Sequence, residues 1–538
     1  MKVVIVGAGR IGRGFLAHLF LPAGWSVTFV ERSEPLVAEL RRRGSYTLKL
    51  TGGEEAVERV TLAGFGALAA GDGAAVAAAI AAADLLAVAV QPSDLAGAAG
   101  LLAAGLRARL ADRAANLNLI LCANFPSASA ILRRELEKAL GEAESGELKR
   151  LGILETIVIR AIPDPSPELQ AGNPLDLLAS DYPELYVDRD AVVGRLPAVP
   201  GLVMQDRFAE RETRKLYTYN MSHALLGFWG LAEGHESVAA SFADPWIRRQ
   251  VERALEEATT GLAGEFGFGP EEMAEWNAGV RRLMANKPLG DPVRRVVQDP
   301  LRKLGRGERI TGPALLALKH GLRPRALARL AAYALHFLGM SPEQARQACQ
   351  LTAQEAELEA LIGEAHRWVA REREASALGF QYERTYRGCG QCTFAAVQQA
   401  LGREEERVFQ ALTPFAAGFG LSGDSTCGAL VGGGASFGLA RGRRRSHFDG
   451  DREPKYAGFG MAQALRERYL WKYGSLLCKG AQERIFGRSF DLRSPTEREL
   501  FEQAGAHVDK CPGVVSDVAR WTVQILAEEA VDVGRETV

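Results

Sequence analysis

The sequence predicts an α/β chain in three parts: an N-terminal parallel sheet covered by helices, then an all-α region, then a mainly α, cysteine-rich region. Three observations lead there. Short apolar runs alternate with helical stretches up to about residue 125. From about 207 to 372 the apolar spacing is helical almost throughout. Five of the seven cysteines then fall after residue 385. A chain of 538 residues is too long for one core, and the divisions fall at 1–205, 206–374 and 378–538.

Val3–Val6, Val27–Val30, Leu85–Val90 and Leu119–Cys122 read as buried strands, and helices between them require a parallel sheet covered on both faces. The first strand runs into Gly7-Ala-Gly9-Arg10-Ile11-Gly12 and then an amphipathic helix. Gly7 allows the tight turn, Gly9 lets backbone approach a pyrophosphate, and Gly12 lets the helix lie close to the strand. The helix start offers unpaired N–H groups to the phosphates. This is the pattern of a Rossmann-type dinucleotide site, to which Val90, at the end of a neighbouring strand, is added as a contact. The second strand ends at Glu31, where a carboxylate can accept bonds from the ribose hydroxyls and repel a 2′-phosphate. NAD is therefore favoured over NADP, although Arg32 beside it could pair with that phosphate.

Residues 150–205 are mixed, with strand-like Ile157–Ile159 and a proline loop at Pro163–Pro167. In the helical part, 210–230 carries Lys215, Asn220 and His223. On a regular α-helix Asn220 lies about 140° and His223 about 80° from Lys215, within one arc that can line a cleft. Alcohol oxidation needs a base for the hydroxyl proton, which a lysine with a lowered pKa can supply. Amide and imidazole donors can hold the developing alkoxide.

A formal net charge of -1 gives no field that favours nucleic acid. No run of about 20 apolar residues predicts a membrane span, and no secretory signal is visible, so a cytoplasmic location is the expectation. Arg441 and Arg443–Arg445 read as a solvated loop.

Several stretches resemble the polyol-specific long-chain dehydrogenases, in particular their mannitol-1-phosphate 5-dehydrogenase branch. They are the glycine loop, Ala87-Val-Ala-Val-Gln-Pro, Leu196-Pro-Ala-Val-Pro-Gly, Arg214-Lys-Leu-Tyr-Thr-Tyr-Asn-Met-Ser-His-Ala and Asp291-Pro-Val-Arg-Arg. The resemblance runs from residue 1 to about 372. It implies NAD as cofactor, a polyol or sugar phosphate as substrate, no metal in this part, Lys215 as general base, and Asn220 and His223 as groups that position the reacting oxygen. It adds Asn124 as a second amide for the alkoxide. The branch shows an acid where this chain has Ile159, and Glu-Asn where it has Ala123-Asn124. Arg160, Arg302 and Lys303 are candidates for an anion clamp. A keto-sugar acid reductase of the fructuronate or tagaturonate type, or a protein that senses NAD(H) without turnover, are the other readings.

Beyond residue 378, Gly390-Gln-Cys392, Thr426-Cys-Gly-Ala-Leu-Val-Gly432, Cys478 and Cys511 resemble the redox-active family named for its C…GCAxxG…C…C pattern. Cys389 then stands as an extra residue that makes a local Cys389-Gly-Gln-Cys392 pair. Cys389, Cys392, Cys427, Cys478 and Cys511 are consistent with a reversible disulfide, with a metal or iron–sulfur cluster, or with buried structural thiols. His447 and His507 are further candidate ligands, and a redox partner is expected if the thiols cycle.

Overall fold

The computed structural model describes all residues except 53–56, 112–115, 124–127, 142–143, 145, 451–452 and 533–538. Two compact units emerge. One comprises Met1–His223, His235–Ala240 and Phe266–Arg295; the other comprises Ala224–Gly234, Ser241–Glu265 and Val296–Val538.

The first unit is built on an eight-stranded sheet. Its strands are β1 (Lys2–Val6), β2 (Ser26–Glu31), β5 (Gly66–Ala69), β6 (Leu85–Val88), β7 (Leu117–Leu121), β8 (Leu151–Val158), β10 (Leu185–Asp188) and β11 (Leu202–Gln205). The order is β11-β10-β8-β7-β6-β1-β2-β5, and every pair is parallel except β8 with β10. The four strands expected from the apolar runs are β1, β2, β6 and β7. Alternation along β1 explains the double burial. Val3 and Ile5 pack with Phe15, Phe20 and Phe29 on one face. Val4 and Val6 pack with Leu86, Leu102 and Leu121 on the other. Each such side chain, fully buried, contributes about 1.5–3 kcal/mol.

A second sheet, unforeseen in the sequence, has the order β4-β3-β9, with β3 (Ser45–Thr51), β4 (Val57–Ala63) and β9 (Leu177–Ser180). In β3 Tyr46, Leu48 and Leu50 point into the core while polar residues alternate with them. Its parallel partner is remote in sequence, with Leu48 opposite Leu177.

The second unit is helical. Its longest element, Ala356–Tyr386, is one helix of 31 residues, so the boundary expected near 375 falls inside it. Gly379 lets this helix close on Cys511–Asp532: a Cβ there would lie 3.1 Å from the Val515 carbonyl oxygen and 3.2 Å from the Ala519 methyl. The Val431-Gly-Gly-Gly-Ala stretch is part of a helix, Gly428–Arg441, and packs closely. A Cβ at Gly432 would meet the Gly390 carbonyl oxygen at 2.3 Å, and one at Gly433 would meet Thr522 Oγ1 at 2.7 Å.

A buried ionic network ties this unit together. Glu233 lies 2.7 Å from Arg520 and 3.4 Å from Arg468, and accepts bonds from Trp521 Nε1 and Gln524 Nε2. The same Gln524 amide donates to Glu372, which pairs with Arg329 and accepts from the Tyr333 hydroxyl. Arg468 is also sandwiched against Trp246 and Trp521. Among the described residues, no helix is long and apolar enough to cross a membrane.

Candidate active site

The glycine loop shows three different constraints. Gly7 has φ +100°, and a Cβ on it would lie 2.4 Å from the Ala89 carbonyl oxygen, with Val90 next to it. A Cβ at Gly12 would lie 2.1 Å from the Gly7 carbonyl oxygen. A Cβ at Gly9 would meet no atom within 4 Å, so internal packing does not demand glycine there. Close approach of a dinucleotide would, and the loop therefore fits NAD. Glu31 braces the loop by accepting from the Ala8 amide at 2.8 Å, and its other oxygen accepts from the Ser33 amide, at the start of the next helix, at 2.9 Å. Arg32 is engaged with Asp94 at 2.7 Å. Arg10 pairs with Asp164 at 2.9 Å, and Ile11 packs against the core of the first unit.

The helix that carries Lys215, Asn220 and His223 is not a regular α-helix. Phe208–Lys215 is α-helical, Leu216–Asn220 is a π turn, and Met221–Glu233 returns to α geometry. A π turn bonds residue i to i+5, which is the separation of Lys215 and Asn220. It therefore brings the two nearer to one face than an α-helix would. Lys215 and Asn220 are both buried, at 8% and 6% exposure. Glu212 is raised above the ordinary carboxylate range by burial and by Glu155, with the Lys215 ammonium acting in the opposite sense. The lysine thus stands among acids at the end of the helical turn.

His223 Nε2 lies 2.8 Å from Asp291 Oδ2. Asp291 is clasped in turn by Arg295, at 2.6 Å and 2.8 Å. Burial would raise the Asp291 carboxyl, but the bonds and charges of His223 and Arg295 outweigh it and hold the group low. An ionised Asp291 keeps a proton on Nε2, which fixes the ring and leaves Nδ1 as its other polar atom. Tyr219 stacks on the His223 ring, with centroids 6.1 Å apart. Asp291 was not singled out from the sequence. It sits in the quoted Asp291-Pro-Val-Arg-Arg stretch, and that acid beside two arginines was the available signal. Asn124 lies outside the described residues.

The anion candidates separate. Arg160 is corrected by the structure: it is 3% exposed and donates to the carbonyls of Tyr182 and Gly14, lies 3.0 Å from His18 Nδ1, and covers the Phe15 ring. Its guanidinium is a strut inside the fold, not a clamp. Arg302 is bound to Asp299 and Glu308. Lys303 is buried, and burial, then Arg309 and Arg302, bring its amine down to about 8. A cavity of about 540 Å³ in the first unit is lined by Ile157, Tyr182, Tyr186, Arg214, Tyr219 and Trp276 among others. It shares Tyr219 with the lysine–asparagine–histidine stretch, but none of those three residues lines it.

In the second unit Cys389, Cys427, Cys478 and Cys511 line one cavity of about 380 Å³. Cys392 does not; its thiol donates to the Arg387 carbonyl at 3.1 Å. The two members of the local pair thus stand apart, one on the cavity and one turned to the Arg387 carbonyl. A bond with Cys427, then burial, raises the Cys389 thiol. Burial is the first cause for Cys392, Cys478 and Cys511, with Cys478 pushed up to about 12. None of these four is by itself an activated nucleophile.

The mannitol dehydrogenase Rossmann domain matches residues 1–201, and the mannitol dehydrogenase C-terminal domain matches 209–373. A third family, described as "Putative redox-active protein (C_GCAxxG_C_C)", matches 388–525. Mannitol-1-phosphate 5-dehydrogenase of Paenarthrobacter aurescens (strain TC1) is 35% identical over 342 residues, covering 63% of this chain and 87% of that protein. Its namesake from Brevibacillus brevis is 34% identical over 340 residues, covering 63% and 86%. Among solved structures, Pseudomonas fluorescens mannitol 2-dehydrogenase in ternary complex with NAD and D-mannitol has the same fold at a TM-score of 0.54. Identity to it is 17%, over 68% of this chain and 91% of that one. A substrate-free D-sorbitol dehydrogenase gives a TM-score of 0.57 at 16% identity, over 68% and 92%. The glycine loop, the lysine-bearing helix and these matches together place this chain in the mannitol dehydrogenase family of polyol dehydrogenases.

Proposed function

We propose that this chain interconverts a sugar-alcohol phosphate and a ketose phosphate with NAD, of the mannitol 1-phosphate and fructose 6-phosphate type. The observation that carries the reading is the buried Lys215–Asn220–His223 stretch, with a π turn between its first two members and Asp291 behind the third. Bound NAD supplies the hydride acceptor. Lys215 takes the proton of the reacting hydroxyl, and returns it in the reverse direction. The Asn220 amide donates to the oxygen as negative charge develops, and His223, held by Asp291, fixes that oxygen in place. Asn124 is proposed as the second amide, from the resemblance. Lys303 beside Arg309 is the anion candidate that we retain. For the C-terminal cysteines we propose a redox or metal-binding role.

A screen with mannitol 1-phosphate, mannitol, fructose 6-phosphate and fructuronate tests the reading through the absorbance of reduced nicotinamide. Turnover with the phosphate esters at a kcat/KM at least 100-fold above the free polyol and the keto acid is the expected result, about 2.7 kcal/mol of discrimination. Tight NADH binding with no turnover on any of them would leave a sensor instead. Glu31→Ala removes the bond that braces the glycine loop at Ala8 and a second to the Ser33 amide. NADH titration of that variant should show affinity lowered about tenfold or more, and a smaller preference over NADPH.

A further inference from the structure

Four cysteines far apart in sequence meet around one cavity, and the fold places three of them at the start of a helix. Cys389 opens Cys389–Ala400, Cys427 caps Gly428–Arg441 and Cys478 opens Cys478–Phe486, whereas Cys511 lies where the π turn Ala506–Lys510 passes into Cys511–Asp532. Backbone bonds set two of them side by side: the Cys427 amide donates to Leu476 and the Cys478 amide to Ser425. The glycine after Cys427 is required by a third, because a Cβ at Gly428 would lie 2.6 Å from Cys389 Sγ. Gly432, one turn on, admits the Gly390 carbonyl. The Cys427-Gly428-x-x-x-Gly432 spacing is thus the seat for the helix that carries Cys389.

Two buried polar side chains of the cavity wall are tied to the cysteines. Tyr469, with 0% exposure, bonds to the Cys427 thiol, and Glu383, 3% exposed, bonds to the Cys392 thiol behind the wall. Both residues line the cavity.

The kind of group follows from spacing and charge. Among the described residues, no three His, Cys, Asp or Glu side chains are gathered closely enough to hold a single metal ion. Cys389 and Cys427 are hydrogen-bonded to each other, and with Cys478 and Cys511 they line a space of about 380 Å³. A polynuclear group with bridging sulfides spans such a space, and four cysteine sulfurs are its usual ligand set. Three helix starts direct partial positive charge at the same place, which favours the net negative charge of a thiolate-ligated cluster.

We propose that Cys389, Cys427, Cys478 and Cys511 hold an iron–sulfur cluster in this cavity. Each thiol releases its proton to solvent as its sulfur bonds to iron. The proposal deepens the redox or metal reading of the C-terminal region, and does not depend on the dehydrogenase assignment.

The test is the full chain purified without air, or reconstituted with ferrous and ferric iron and inorganic sulfide. Iron and acid-labile sulfide should be retained in equal amounts, with a broad visible absorption that dithionite bleaches. Cys389→Ser and Cys511→Ser should each lower bound iron several-fold, and Cys392→Ser should hold as much as the unaltered chain. Far-UV circular dichroism, unchanged in all three variants, reports that they fold. The proposal is overturned if the unaltered chain keeps no more iron and sulfide than the Cys389→Ser variant, or takes up zinc alone. It is equally overturned if Cys392→Ser loses the cluster while Cys389→Ser retains it.

Discussion

Lys215→Ala is expected to lower kcat by about 10²–10⁴-fold while NADH binds as before, because the change removes the proposed proton acceptor and leaves the glycine loop's own residues intact. The side chain is only 8% exposed and sits at the junction of the α and π segments, where Asn220 is one π turn away. Lys215→Arg sharpens the test. Arginine keeps the positive charge but does not deprotonate in a protein. If the lysine acts as a base, the arginine variant is as slow as the alanine one. If it serves only as a fixed charge near the alkoxide, the arginine variant keeps much of the rate. Stopped-flow hydride transfer with mannitol 1-phosphate, alongside NADH titration, separates the two cases. Full turnover in the alanine variant would remove the base assignment.

The largest effect on stability should come from Glu233→Gln. Glu233 is buried between Arg520 and Arg468, and the near-isosteric amide would deprive Arg468 of its carboxylate and leave Arg520 with Asp517 alone. Breaking a buried pair in this way typically costs about 3–5 kcal/mol. Thermal unfolding should therefore begin several degrees lower. The loss should not simply add to that of a Glu372 variant, because Gln524 donates to both carboxylates. The pH dependence has a defined sign. Burial alone would raise the Glu233 carboxyl, but Arg520 and Arg468 outweigh it and bring it down to about 2. A depressed carboxyl stabilises the fold fully above its unfolded value of about 4.3, and that contribution is lost as pH falls toward about 2. The gap in unfolding free energy between the parent chain and Glu233→Gln should therefore be constant at neutral pH and narrow between about pH 4 and pH 2. A gap that widened in acid would contradict the network.

Much of the first unit was legible because its signals are local. Val3–Val6 and the glycines that follow announce a buried strand and a tight turn within a dozen residues. The β3–β9 pairing was not legible, because Leu48 finds Leu177 only through the tertiary fold. The lysine, asparagine and histidine could be picked out from residue type and resemblance, but the π turn that changes their angular relation carries no sequence mark. Asp291 escaped because its partner, His223, is 68 positions away. Arg160 misled for the opposite reason: a basic residue beside a pocket looks like a clamp until the backbone carbonyls that occupy it are seen. The Cys389-Gly-Gln-Cys392 spacing drew attention to a local pair. Helix geometry instead turns Cys389 toward three distant cysteines and Cys392 toward Arg387.

The unbroken Ala356–Tyr386 helix has a consequence for dividing the chain between the pieces that match its second and third families. Its inward row runs from Leu358 and Ile362 through Val369 and Glu372 to Gly379 and Glu383, so both pieces are written on a single rod. A cut at the compositional seam would strip Glu233 of Arg468 and Arg520 and bare the face that covers Val515 and Ala519. Each half made alone would lack part of that shared interior.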